Sequence, residues 1–491
     1  MKTNTLDFDA QALREKILDL AMRGKLVPQD PNDEPASVLL EKIKAEKEQL
    51  IKEKKIKKKD WNLPEKHKTD NLPQGWQKTS LKEITTPFTL NDGDWILSKN
   101  MIPYSDVKLI QLGSIGEGKY IDKGFKYISQ DTFDELNCTE IKPGYLLINR
   151  LINKQKMMAT ILPKIEGKLI TAVDICWIAP SSYFNQEFMM YQLLSPAFQN
   201  KVNKLTSGST RKRISKGNLT SIELFLPPLE EQSRIAAKIA QLFALLRKVE
   251  SSTQQYAKLQ TLLKSTVLDL AMRGKLVEQD SHDEPASVLL EKIKAEKEQF
   301  IKEGKIKKSK SLPPVTDDEK PFDIPDSWEW VRLGDVLDVR DGTHDTPKYV
   351  SEGIALVTAK NLKDGKIDFS NIKYISEKDA QKINQRSNVE TDDILFAMIG
   401  TIGNPVLITK RNNFAIKNVA LLKHAKYVNM DFVCKYILAS ESFLLEYANG
   451  GNQKFISLNK IKKLGFPLPP LVEQQNIVSK INNIFTLLTS I

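Results

Sequence analysis

The sequence predicts an α/β (α+β) protein. Two mixed α/β domains are related by a pseudo-two-fold repeat and joined by long antiparallel coiled-coil helices in a circular arrangement. Three observations predict it: a five-heptad apolar seam in mid-chain, a motif that recurs 242 residues later, and a repeat that is cut open inside one helix.

The seam runs Ile235, Ile239, Leu242, Leu246, Val249, Thr253, Tyr256, Gln260, Leu263, Val267, Leu270. Alternating steps of four and three keep one stripe facing a partner helix. A helix from Pro228 to Leu270 would span roughly 60 Å at the α-helical rise. Its partner is split between the chain ends. Leu468-Pro469-Pro470-Leu471-Val472-Glu473-Gln474 repeats Leu226-Pro227-Pro228-Leu229-Glu230-Glu231-Gln232, and Ile477, Ile481, Ile484, Leu488 and Ile491 follow in the phase of Ile235 to Val249. At the other end Leu6, Ala10, Leu13, Ile17 and Leu20 match Tyr256 to Leu270. Ile491 thus corresponds to Val249 and Met1 to Ser251, which implies a cyclic molecule with neighbouring termini.

The elements follow in order. Residues 1–60 form an N-terminal helical segment whose first helix ends at Gly24, a helix stop. Asp33 reads as the N-cap of a second helix with Pro35 in its first turn, continuing from Ser37 to about Lys55. Residues 18–53 and 268–303 differ at only four positions. Identity on solvated faces suggests that both copies present one surface to two copies of one partner, with Leu39 and Ile43, and Leu289 and Ile293, as apolar contacts. Lys52 to Lys59 reads as a solvated tether.

The first globular domain, 72–227, opens at Pro73-Gln74-Gly75-Trp76; the second, 324–469, opens at Pro325-Asp326-Ser327-Trp328. A central helical region, 228–310, separates them, and residues 470–491 form the C-terminal helix. Lys168 to Ala179 and Asn388 to Met398 read as strands, and Gln186 to Leu205 and Met430 to Tyr447 as helices. The helical parts are nearly identical while the globular parts have diverged: one scaffold carries two different recognition units.

The chain has 491 residues and a formal net charge of +11, which points to a polyanionic partner. Three scattered cysteines argue for a reducing, cytosolic compartment without a disulfide framework or cysteine metal site. No apolar run reaches membrane-spanning length.

Two divergent domains, each opening with Pro-x-x-Trp and closing with Leu-Pro-Pro-Leu-x-Glu-Gln before a long helix, resemble the specificity subunit of type I restriction-modification enzymes. The repeated Leu-Asp-Leu-Ala-Met-Arg-Gly-Lys-Leu-Val and Asp-Glu-Pro-Ala-Ser strengthen the resemblance, which spans essentially the whole chain. It implies two target-recognition domains that each read half of a split target in double-stranded DNA. The geometry of the repeat itself adds that the helices set the spacer, with the two contacts about one DNA turn or more apart. The resemblance also implies helices that hold two DNA methyltransferase subunits, two further restriction (translocase and nuclease) subunits, and no catalysis by this chain.

The residues agree with that last implication. Each Pro-Pro pair (Pro227-Pro228, Pro313-Pro314, Pro469-Pro470) is preceded by Leu, so none supplies the polar side chain of an adenine methyltransferase. Gly113 to Tyr120 imitates a phosphate loop but ends in Tyr in place of Ser or Thr, and reads as a hairpin turn. The four histidines (His67, His282, His344, His424) lack metal-ligand spacing, and no cofactor is expected.

Bases are read by side chains that reach their edges, while phosphate contacts set position. In the first domain the candidates are Ser209, Thr210, Arg211, Lys212, Arg213 and Lys216, on a Gly/Ser-rich loop before the last strand, with Asn149 and Arg150 as secondary candidates. The matching loop of the second domain offers Asn452, Gln453 and Lys454. Amides suit adenine and arginine suits guanine, so the two half-sites should differ. Asp341 to Tyr349 adds a Gly-x-His-x-x-Pro loop with Thr343, His344 and Lys348; Asn91 to Trp95 holds a similar place in the first domain. A structural adaptor that never reads sequence is the alternative function, and a concealed nuclease a third.

Overall fold

The computed structural model describes residues 8–57, 72–208, 211–304, 311–400, 402–410, 413–450 and 454–490. The chain divides into two compact units. Residues 7–253 form the first, and residues 254–491 with residues 1–6 the second.

In the first unit, the strands Leu90–Asp92, Ile175–Ile178, Leu146–Asn153 and Lys156–Ile161 form an antiparallel sheet in that spatial order. A second sheet sets Val107–Ile110 between antiparallel Phe125–Ile128 and parallel Lys168–Thr171. The second unit repeats the plan. Val339–Asp341, Val419–Leu422, Ile394–Ala397 and Gly403–Leu407 form the antiparallel sheet, and Ile354–Thr358 lies between antiparallel Lys373–Ile375 and parallel Phe414–Lys417 in the mixed one. The expected single strands are therefore divided. Residues 168–179 make two strands in two sheets, and only Ile394–Ala397 of residues 388–398 is extended. The expected helices are divided too. Ser195-Pro196 separates Gln186–Leu194 from Pro196–Lys204, where proline removes a helical N–H, and Ser440 separates Met430–Ala439 from Glu441–Tyr447.

The opening and closing motifs meet in each unit. Trp76 donates its indole N–H to Glu231 at 2.9 Å, and Trp328 donates to Glu473 at 2.8 Å. Behind them Gln232 donates to the Pro227 carbonyl and accepts from the Asn185 amide. Gln474 does the same with Pro469 and Asn429. The flanking strands pair antiparallel, Gln77–Ser80 with Glu223–Leu226 and Glu329–Arg332 with Gly465–Leu468. All four acceptor and amide side chains are buried, so these motifs close each domain onto its helix.

The central helix runs Leu229–Met272. In the first unit Arg14 of the N-terminal helix Ala10–Met22 bonds Glu250 near the middle of the central helix with both guanidinium nitrogens, and Leu18 belongs to the same core as Ile235 and Ile239. In the second unit Gln260 donates to the Leu488 carbonyl of the C-terminal helix Leu471–Ser490, and Ile477 and Ile481 share a core with Val267 and Leu268. The seam is buried at Ile235, Ile239 and Val267 but open between them, where Val249, Tyr256 and Leu263 are exposed. Gly24 ends the N-terminal helix region with a left-handed φ of +66°.

The second helix starts differently from expectation. It spans Ala36–Lys52 with Pro35 at the cap, because the Asp33 carboxylate is bonded to Arg234 instead. Its inner face also corrects an expectation. Leu39 and Ile43 are 4% and 3% exposed, and Leu289 and Ile293 are 2% and 4% exposed, all within the cores of their own units. They hold the helices Ala36–Lys52 and Ala286–Lys302 onto the globular domains and are not partner-facing. Buried Lys47 fixes the same face by donating to the carbonyls of Lys82 and Glu83, as Lys297 does to Gly334. Burial pushes the Lys47 ammonium down to about 8.

Candidate functional site

Loops gather at one end of the antiparallel sheet in each unit. In the first unit Ser207 and Arg213 pair as a β-bridge, and Leu151 bridges Arg213. The bridge brings the two ends of residues 207–213 together, and Arg211 and Lys212 between them are exposed. Arg213 ion-pairs with Asp174 at 3.0 Å, and Lys216 donates to the Asn91 amide oxygen at 2.8 Å. The basic loop is therefore tied to the turn after Thr171 and to the strand Leu90–Asp92. Ser209 and Thr210 lie outside the described residues.

Arg150 requires a correction. It is 3% exposed, ion-pairs with Asp92 at 3.0 Å, and donates to the carbonyls of Ile214 and Val173. Its charge is spent inside the domain, where it positions the base of the loop and leaves no face for a nucleic acid. Burial raises the Asp92 carboxyl above its ordinary range, and Arg150, Lys216 and Arg213 pull it back down. Asn149 is likewise turned to local backbone: its amide reaches the Leu112 carbonyl and accepts from the Leu151 N–H.

The second unit builds the same end. Asn449 and Phe455 pair as a bridge, and Ile399 bridges Phe455, matching Ser207, Arg213 and Leu151. Lys454 is exposed and donates to the Leu445 carbonyl, while Asn452 and Gln453 lie outside the described residues. Gly93 and Gly342 occupy matched places. Each donates its N–H across the sheet, to Ile175 and Val419, and a Cβ on either would run into carbonyl oxygens of the facing strand. Glycine is the residue that permits so close a backbone approach.

His344 is the centre of the turn that follows. Its Nε2 meets Asp341 and its Nδ1 meets the Asn418 side chain, each at 2.9 Å, so both ring nitrogens are committed within the protein. Arg386 also pairs with Asp341, and Lys417 donates to Thr346. Thr343 is half-buried, its N–H on the Ile416 carbonyl, whereas Lys348 is exposed. A cavity of about 230 Å³ lies beside this turn, lined by Asp341, Thr343, Thr346, Lys382 and Arg386.

No catalytic constellation accompanies these loops among the described residues. Glu390, Asp393 and His424 approach one another, but the Lys423 ammonium sits 2.6 and 2.7 Å from the two carboxylates and supplies the positive charge. Burial pushes the Cys176 thiol up to about 12 and those of Cys138 and Cys434 up to about 11, so all three stay protonated near neutrality. Gly113 to Tyr120 is a turn closed by an Ile115–Tyr120 bridge. No helix among the described residues is long and apolar enough to cross a membrane.

Sequence reasoning missed the Asp92–Arg150 pair and the exposure of Trp95 (68%) and Tyr104 (73%). Trp95 carried a signal, a large aromatic residue in an otherwise polar Asn-Asp-Gly-Asp turn.

Comparison with known proteins gives one family. Residues 73–260 and 325–491 match the model of the type I restriction modification DNA specificity domain. The EcoAI specificity subunit of Escherichia coli is 30% identical, over 97% of this chain and 89% of its own length. The EcoEI specificity subunit from the same species is 29% identical with the same coverage. A chain from a structural study of complex assembly and conformational transition in the type I R-M system superposes with a TM-score of 0.55 at 18% identity, covering 85% of this chain and 92% of that one.

Proposed function

This chain belongs to the type I restriction modification DNA specificity family, as a non-catalytic specificity subunit with two DNA-recognition domains, and from that premise we propose how it divides the work. Each domain, 72–227 and 324–469, reads one half of a split, asymmetric target in double-stranded DNA. The helices set the spacer, and the subunit works in the cytosol. Two DNA methyltransferase subunits dock on the repeated helical segments, and two restriction subunits complete the assembly.

The observation that carries this reading is the contrast between matched positions. On one backbone frame, Arg213 is replaced by Phe455, Asp174 by Asn418 and Arg150 by Met398, while the Trp–Glu and Gln–Pro contacts below are the same in both. Two ends with one frame and different side chains suit two different half-sites. Arg211, Lys212, Lys216, Lys348 and Lys454 are accessible or half-accessible cations at these ends and supply phosphate or guanine contacts. Ser209, Thr210, Asn452 and Gln453 are further proposed contacts by sequence position. For docking, the outward face of the repeated helix is the counterpart to its buried one: Glu41, Lys44, Ala45 and Glu48 are exposed, as are Glu291, Lys294, Ala295 and Glu298.

Methylation mapping tests the proposal. The chain is co-expressed with its cognate methyltransferase, and plasmid DNA is sequenced for modified adenines. A split asymmetric motif that disappears when this chain is omitted is expected, and exchange of residues 73–226 should change one half-motif alone. A motif that survives omission, or none at all with an active methyltransferase, would leave a scaffold that does not read sequence.

A further inference from the structure

We propose that Trp95 contacts a base in the half-site read by the first domain, and that the residue at this shared backbone position distinguishes the two domains; the inference rests on the reading above. The position is matched through backbone pairing. Asn91 faces Trp177 as Arg340 faces Leu421. Gly93 and Gly342 then donate to Ile175 and Val419, and Asp94 and Thr343 donate to Thr171 and Ile416. The next residues, Trp95 and His344, therefore leave the sheet at the same place.

The two rings are held differently. His344 bonds Asp341 and Asn418 through both nitrogens, so its polar edge is committed within the turn although its side chain is 63% exposed. Trp95 is 68% exposed, and the same stretch exposes Phe88 at 59% and Tyr104 at 73%. An aromatic group of this size in solvent forgoes substantial burial energy and marks a contact surface. Charge identifies the occupant. Lys216 is bonded to Asn91, four residues before the indole, and Asp94 is bridged to Ala172, two residues from the Asp174 that holds Arg213. The stretch that carries the ring is thus tied to Lys216 and, through Asp174, to Arg213, next in sequence to the exposed Arg211 and Lys212, and such a loop end fits a nucleic-acid groove. Phosphates meet the cations, and the ring meets a base edge. The apolar feature of a base edge in the major groove is the 5-methyl group of thymine.

The test uses the complex with the cognate methyltransferase and a duplex bearing the mapped motif. Thymines of the first domain's half-site are replaced singly by deoxyuridine, which removes only the methyl group. The wild-type complex should lose roughly fourfold in affinity at one position, the factor expected from one buried methyl. W95A should bind the thymine duplex at least that much more weakly and be indifferent to deoxyuridine at that position, with the second half-motif unchanged. W95F keeps an aromatic ring, and its comparison with wild type isolates the Trp95 fluorescence that DNA should shield from acrylamide. The inference is overturned if W95A keeps wild-type affinity, if its deoxyuridine profile is unaltered, or if the half-site holds no thymine. It is also overturned if W95A or W95F sheds the methyltransferase, which would place the indole against protein. If the wild-type complex yields no chain-dependent motif, the proposed function itself fails, an outcome separate from a motif indifferent to Trp95.

Discussion

Trp76 and Glu231 are joined by a 2.9 Å hydrogen bond across 155 residues of chain, and Trp328 and Glu473 repeat it. The bond links the first strand of each domain to the first turn of the helix that leaves it. Burial raises both carboxyls above their ordinary range, and the indole N–H pulls each back down. W76F should cost about 2 kcal/mol, the usual loss for a buried hydrogen bond to a charged group. The sign with pH follows. A raised carboxyl pKa contributes stability below its unfolded value near 4.5 that is lost as pH rises through the folded value. Removing the donor raises the folded value further, so the W76F deficit in urea unfolding should grow between acid and neutral pH. A deficit that is flat with pH would count against an ionised Glu231 as the acceptor.

Lys47 makes a second pH-dependent claim. Its ammonium is driven from 10.5 to about 8 by burial. Between those values the unfolded chain binds more protons than the folded one, so stability should rise with pH across that window. K47M should abolish the rise. It should also be less stable at neutral pH, because the Lys82 and Glu83 carbonyls lose their donor. Chemical denaturation from about pH 8 to 10.5, the edges of that window, measures the rise, and its low-pH end the loss of the donor.

Arg150 and Arg211 should separate by readout. Arg150 is buried against Asp92, and R150M leaves that carboxylate unpaired, a loss of about 3–5 kcal/mol in the first domain's stability. Arg211 is exposed, so R211A should leave stability alone and weaken DNA binding. If Arg211 meets a phosphate, the slope of log affinity against log salt should shrink by about 0.9. If it meets guanine, the mapped half-motif should relax at one base with little change in slope.

Much of the scaffold was legible because it is written in local repeats. Heptad spacing, the Pro-x-x-Trp openings and the Leu-Pro-Pro closings need no tertiary knowledge to align. The faces of the repeated helix were harder. Leu39 and Ile43 recur at helical spacing, and that spacing is the same whether a face meets the chain's own core or a partner; only the fold shows them inside. Arg150 was misplaced for a related reason. Its partner Asp92 lies on a strand 58 positions away that reaches it through the intervening Ile175–Ile178 strand, and no local pattern records such a pair. The start of the second helix shifted because Asp33 bonds Arg234, 201 residues on, in preference to capping its own helix.

The spacer supplies the last prediction. The central helix Leu229–Met272 is continuous and contributes its first half to one unit and its second half to the other. Its seam keeps one phase through the open stretch at Val249, Tyr256 and Leu263. A heptad inserted between Ser251 and Ser252, with a matching heptad ahead of Leu6, preserves that phase and adds about 10 Å at the α-helical rise. That length corresponds to about three base pairs. If the helices set the spacer, methylation mapping of this variant should return both half-motifs unchanged, separated by a spacer longer by about three base pairs. The added rotation about the DNA axis makes reduced activity on the original spacer part of the same expectation. Retention of the original spacing at full activity would mean that the distance is set by the docked methyltransferases, and the helices would then serve assembly alone.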